Sequence, residues 1–411
     1  MLGDFTYPVD EVLIPYPVGV VHVAAPVESR IVRGKGGSGV VGAPALRCWG
    51  RGFVHPSPAT SGGLQSTHIR NMRLETVGVM CKAQAGHGRR CSDLPSPTES
   101  DVVCPVLFPS GGGECAGDLH LPSLPESGSA RAATDEDSAA RGLPTVVMAH
   151  GIGAERRFGL APFAERFVRR GFAVLVFDYR HLGESPGEPR GLVDPARQLQ
   201  DYEAALAFVR SHPELDGDRI ALWGTSFSGG HVLSLAARSP AGVRAVISLI
   251  PFVSGWASTF AYPLRYHVPA VARGLVDRLR GAVGLKPLTV PVVAPRGLAL
   301  LASPDSFAGY TAMIPDDARW SGRVPARVFL EILRYHPGKD SARISVPTQM
   351  TVAMEDTICP PGASRRVAQR IPGVELHDFP MGHFDPYVDP WFSRVVAIQT
   401  EFLATHLGCT P

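Results

Sequence analysis

From Leu143 onward, short unbroken apolar runs alternate with stretches of helical period, and this alternation limits what the chain can become. The runs are "TVVMAH" (145–150), "AVLVFD" (173–178), "IALW" (220–223), "VRAVISLI" (243–250), "TQMTVAM" (348–354) and "VELHDF" (374–379). Helical patterns fall near 159–170, 194–211, from about Gly229, near 362–371 and from about Pro390 to His406. A strand with one wet face alternates polar and apolar residues, whereas a continuously apolar strand is covered on both faces. Parallel neighbours also need long crossovers, which helices supply. The pattern predicts an α/β fold, a mostly parallel sheet with helices on both faces. Upstream, "DVVCPVLFPSGGGECAGDLHLP" (101–122) reads as two further strands around the turn Ser110–Gly113.

The alternation pauses between Pro251 and about Ser345, where Phe252, Trp256, Phe260, Tyr262 and Tyr266 crowd the start of the segment. Ligands of open α/β sheets bind outside the carboxyl ends of the strands, so residues 251–345 are expected to form a helical cap there. The first 97 residues are rich in glycine and proline, as in "GKGGSGVVGAP" and "HPSPATSGG". Such composition buries too little apolar surface to offset its ordering cost, which predicts a largely disordered extension before a domain at 98–411. The polar tract "PESGSARAATDEDSAARG" reads as a surface insertion between strands.

The charge balance, 40 Lys and Arg against 38 Asp and Glu, leaves no basic excess of the kind nucleic-acid binding uses. No run of about 18 apolar residues predicts a membrane span, and the early run Val12–Val27 is broken by Pro15, Pro17 and Pro26. That run also lacks the basic flank of a signal peptide, so the expected compartment is the cytoplasm. Seven cysteines without C-x-x-C spacing predict free thiols rather than a disulfide framework or zinc site. The glycine-rich loops match neither phosphate-binding spacing, so no cofactor is expected. The oligomeric state has no signature here.

"LWGTSFSGGH" (222–231) nearly spells the nucleophile elbow G-x-S-x-G, with Ser228 in place of the second glycine. It follows an apolar run and precedes a helical pattern, the context that motif requires. The motif's glycines relieve steric crowding, and Ser228 adds only a hydroxymethyl group. Ser226 is the candidate nucleophile, against the plainer reading of a helix N-cap. A serine hydroxyl attacks well only when an imidazole takes its proton and a carboxylate orients that imidazole. In this strand–turn–helix setting the acid and then the histidine follow at the ends of later strands. "MEDTICPP" offers Asp356, preferred, and Glu355; "FPMGHFDPY" offers His383 as the base.

An oxyanion needs two backbone donors, one from the residue after the nucleophile and one from the loop after the first parallel strand. These are Phe227 and, in "HGIGAERRFGL", Ile152, with Gly153 as the alternative. His150 is expected to shape that loop by hydrogen bonding, Asp178 and Arg180 to brace it, and His231 to pack on its helix face. No metal ligand is expected in this chemistry.

With "HGIG", "FDYRHLGES", "GTSFSGGH", "EDTICPP" and "GHFDPY" in this order, residues from about 101 to 408 resemble α/β-hydrolases of the serine-hydrolase branch. The group includes esterases, dienelactone-hydrolase-like proteins, and X-prolyl-peptidase or serine-aminopeptidase-like members. A serine at position 228 is a familiar variant in it. The resemblance implies the α/β-hydrolase fold and a serine hydrolase acting on a small acyl substrate, a carboxylic ester or thioester. It leaves three rivals. An aminopeptidase or prolyl-type peptidase would need an anionic patch, for which Glu155, Glu184 and Glu188 are candidates. A cofactor-free haloperoxidase or perhydrolase would use the same three residues. A binding protein on a hydrolase scaffold would use none of them.

Overall fold

A computed structural model describes residues 102–123 and 142–408. The glycine- and proline-rich segment 1–97, and most of the polar tract, lie outside the described residues. The chain opens with a hairpin, β1 (Val102–Ser110) and β2 (Gly113–Leu121), then β3 (Leu143–Ala149), α1 (Ala161–Arg169), β4 (Ala173–Phe177) and α2 (Pro195–Ser211). Next come β5 (Leu215–Thr225), α3 (Phe227–Ala236) and β6 (Val243–Leu249). The segment that interrupts the alternation holds α4 (Gly255–Ala261), α5 (His267–Ala282), β7 (Thr289–Pro291), α6 (Ser306–Ala312), β8 (Arg323–Pro325) and α7 (Val328–Arg334). The chain closes with β9 (Thr348–Ala353), α8 (Pro361–Ala368), β10 (Glu375–Phe379) and α9 (Trp391–Leu407).

Eight strands form one sheet in the order β1-β2-β4-β3-β5-β6-β9-β10. β2 runs antiparallel to β1 and to β4, and every other neighbour pair is parallel. The continuous apolar runs have the expected cause. Val147, Leu175 and Leu222 pack on one face with Leu206 of α2 and Leu233 of α3. Val146, Val174 and Trp223 pack on the other with Phe163 of α1 and Leu403 of α9. Each such side chain removed from water stabilises the fold by about 1.5–3 kcal/mol before entropy is counted. Helix ends carry the usual devices. The carboxylate of Asp194 accepts from the amides of Ala196 and Arg197 ahead of Pro195, and Gly408 closes α9 at φ +71°.

β5 begins five residues earlier than the apolar run "IALW" indicates, because its polar start "LDGDR" pairs with β3 only at Leu215, across a register shift. The segment expected to form a helical cap also holds the short antiparallel hairpin of β7 and β8. A third core cluster joins Ile152, Phe227 and Phe252, at the carboxyl ends of the strands, to Val292, Val324 and Val328 of the segment between β6 and β9. That segment therefore lies over the end of the sheet where β5 turns into α3. Among the described residues no helix is long and apolar enough to cross a membrane.

Candidate active site

Ser226 occupies the turn between β5 and α3 at φ +54°, ψ −113°, a region costly for any side-chain-bearing residue. Neighbours hold it there. Its amide donates to the Leu249 carbonyl at 2.9 Å, and its own carbonyl accepts from the Phe252 amide at 2.8 Å. Gly224 makes the turn possible, since a Cβ there would lie 2.2 Å from the Ser228 carbonyl oxygen. Ser226 stands at the N-cap position of α3, yet its side chain makes no capping hydrogen bond.

The hydroxyl instead meets His383. Ser226 Oγ lies 3.1 Å from His383 Nε2, and His383 Nδ1 lies 2.7 Å from Asp356 Oδ2. The carboxylate has no proton to give, so Nδ1 carries the ring proton and Nε2 presents its lone pair to the hydroxyl. The other carboxylate oxygen of Asp356 accepts from the amides of Ile358 and Cys359, both at 2.8 Å. Glu355 is exposed, and its amide donates to the Met381 carbonyl. Exposures of 8%, 7% and 3% for Ser226, Asp356 and His383 keep the chain of hydrogen bonds nearly free of competing water.

The loop after β3 runs beside the serine. A Cβ on Gly151 would lie 3.4 Å from Ser226 Cβ, and Ile152, Ser226 and Phe227 border one cavity. The amide of Phe227 belongs to the first turn of α3, where helix amides have no partner within the helix. Two side chains that sequence reasoning missed clamp this loop: Tyr310 Oη donates to the Ile152 carbonyl and Trp320 Nε1 to the Gly153 carbonyl, both at 2.9 Å. Asp178 braces it as expected, accepting from the Arg156 amide at 2.6 Å and pairing with the Arg156 guanidinium. Arg156, also missed, spans further to Asp118 and Glu184. Arg180 pairs with Asp201 instead and ties the β1–β2 turn through the Gly111 carbonyl. Only the sheet's strand order, which brings β2 beside β4, reveals those partners.

Ser228 is fully buried, and its hydroxyl donates to the His150 carbonyl. That commits its proton, so the Tyr179 hydroxyl donates to Ser228 Oγ. The residue in place of glycine thus fastens the elbow to the loop beside it. Ser228→Ala removes the hydrogen bond to the buried His150 carbonyl and should cost about 1–3 kcal/mol of stability, read by urea unfolding. Unchanged stability would reduce Ser228 to a tolerated small residue.

His231 and His150 take no part in the Ser226 chain. His231 is buried between the Tyr335 hydroxyl at 2.6 Å and Gln198 Oε1 at 2.9 Å, and burial lowers its pKa to about 3. Burial likewise lowers the pKa of His150. Unfolding releases both rings to water, where they bind protons below about pH 6.5. The unfolded state then holds more protons, so stability is complete above pH 6.5 and declines from there toward pH 3. Melting temperature against pH should show this slope, and His231→Gln should flatten it.

Above Ser226 lies a cavity of about 220 Å³, walled by residues that include Phe227, Phe252, Trp256, Phe260, Leu301 and Ile332. None of its described lining residues is a carboxylate. Glu184 is engaged by Arg156 and Glu188 accepts from the Arg190 amide, while Glu155 stands outside the lining, its pKa raised by burial. Asp356, Cys359 and His383 bring possible metal ligands within 4.8 Å of one another. Two of them are already spent on each other, and burial pushes the Cys359 thiol well up, away from the thiolate a metal needs.

A sheet in this order, with a serine elbow after its fifth strand and the insertion lying over it, defines an α/β-hydrolase. The chain belongs to the family described as "Serine aminopeptidase, S33", matched over residues 143–385, and it is an enzyme, a hydrolase. It is 42% identical over 261 residues to the quorum-quenching protein AidA of Acinetobacter baumannii, covering 63% of this chain and 86% of that protein. The thiohydrolase aneE of Aspergillus aculeatus is 28% identical over 276 residues, covering 63% of this chain and 85% of that one. Among solved structures, the α/β-hydrolase GrgF from Penicillium sp. sh18 shares the fold, with a TM-score of 0.61 at 22% identity, covering 75% of this chain and 99% of that one.

Proposed function

We propose that the enzyme cleaves a carboxylic ester or thioester of an apolar acyl or aromatic group through an acyl-enzyme. Ser226 Oγ attacks the carbonyl carbon while His383 Nε2 takes its proton. Asp356 holds the imidazole in the tautomer that can accept. The amides of Ile152 and Phe227 receive the oxyanion, and His383 passes the proton to the leaving group. Water, deprotonated by the same ring, then releases the acid.

The observation that carries this reading is the hydrogen-bonded chain from Ser226 through His383 to Asp356, whose serine borders an apolar cavity with no carboxylate among its described lining residues. The same cavity weighs against an aminopeptidase despite the family's description. A free α-amino group brought into it would have no anionic partner. The relative described as a thiohydrolase supports the thioester arm.

The test is a panel of acyl p-nitrophenyl esters, acyl thioesters and aminoacyl-naphthylamides. Esters or thioesters should exceed the amides in kcat/KM by at least about two orders of magnitude. Preferred cleavage of the naphthylamides would replace the proposal with a peptidase. A peroxide arm tests the haloperoxidase and perhydrolase rival, because only that chemistry requires peroxide.

A further inference from the structure

Helix α5 is packed inside out. Its buried residues are Gly274 and Asp277. A Cβ on Gly274 would come within 2.9 Å of Leu330, and one on Gly281 within 2.7 Å of the Arg327 guanidinium, so this face approaches α7 closely because it is bare. Asp277 is captured there by the Arg327 side chain at 2.6 Å and by the amides of Arg327 and Leu288 at 3.0 and 2.8 Å.

The opposite face carries Val268, Val271, Leu275, Val276, Leu279 and Val283, exposed by 37% to 76%. Their spacing is that of one helix face, the row that normally seals a helix to its core. Leu264 and Leu285 extend the row past both ends, and Trp256 and Phe260 of α4 are exposed as well. Single exposed leucines are ordinary, but a row of this length marks a docking surface.

Charge identifies the partner. Arg273 and Arg280 flank the row on one side, with Arg265 and Lys286 beyond its ends, while Arg278 on the other side is paired with Glu331 of α7 at 3.0 Å. The only acid between residues 255 and 288 is Asp277, which is buried and held by Arg327. An apolar row flanked by arginines is the design of a helix that lies in a lipid interface, with arginine stems along the acyl boundary and their heads among anionic headgroups. A second copy fits less well, because a two-fold contact would set arginines against arginines with no free carboxylate on the face to pair them. The surface is also continuous with the cavity, whose walls include Trp256, Phe260, Tyr266 and Val271 from these same helices.

We infer that the α4–α5 face docks on an anionic lipid surface. Where the proposed apolar substrate specificity holds, docking sets the cavity against the phase in which such substrates gather.

The test is flotation of the full chain with vesicles of phosphatidylcholine alone and with added phosphatidylglycerol. Binding should require the anionic lipid and weaken with salt. Leu275→Glu with Leu279→Glu should lower vesicle affinity by about tenfold or more, as should Arg273→Glu with Arg280→Glu. Circular dichroism and hydrolysis of a short soluble ester should stay unchanged in both. No binding to anionic vesicles, or equal binding to neutral ones, would overturn the inference. So would a dimer in light scattering that the leucine substitutions turn into a monomer, since that assigns the face to a second copy. Vesicle binding is read without substrate, so its failure leaves the hydrolytic proposal standing, and the reverse also holds.

Discussion

Ser226→Ala is expected to lower kcat by on the order of 10⁴-fold or more with KM little changed, because it removes the atom that forms the acyl-enzyme. The residual rate should come from binding and the oxyanion amides alone. Thermal stability should move little: the hydroxyl's partners are the His383 ring and the Cys359 thiol, and alanine keeps the Cβ in the same φ +54° turn. Labelling by a fluorophosphonate probe should vanish in the variant. Retained labelling or a retained rate would remove Ser226 from the mechanism and with it the proposed chemistry.

Asp356→Asn is expected to cost about 10⁴-fold in kcat with the fold intact. The reason lies in the two sides of the carboxylate. One oxygen accepts a hydrogen bond from His383 Nδ1–H at 2.7 Å; the other accepts from two loop amides. An asparagine has one oxygen for these two tasks. With its oxygen on the Ile358 and Cys359 amides, its NH₂ faces His383 Nδ1 and favours the tautomer whose Nε2 carries the proton. That ring cannot accept from Ser226. With the amide flipped, the NH₂ meets two N–H donors and the loop must shift. Glu355→Gln, one residue away, should leave kcat within about twofold, since an exposed side chain away from the site contributes little. Equal losses in the two variants would mean that the acid had been misassigned.

The alternation of strands and helices and the candidates Ser226 and His383 were legible because each rests on local pattern. Strands covered on both faces must be apolar throughout, and an elbow must follow a strand and open a helix. Position after the last strand singled out His383. The choice between Asp356 and Glu355 was only a preference, since both follow β9 and the path of the chain toward the Ile358 and Cys359 amides separates them. The hydrogen bonds of Ser228 carry no local signal either, because Tyr179 stands 49 residues away from it in the chain. Arg156, Tyr310 and Trp320 carried no local signal, and their work on the loop after β3 depends on partners in other strands and in the insertion.

The sequence by itself determined the alternation of strands and helices, the elbow and the chain order of its partners, because these follow from burial on two faces and from the sterics of one turn. The tertiary structure decided which acid meets His383, what Ser228 fastens, and which way α5 faces. Periodicity marks a helix and its apolar row, but not the side turned inward. For α5, glycines that admit a neighbouring helix and an aspartate held by Arg327, 50 residues away, turned the bare face inward and left the leucines outside.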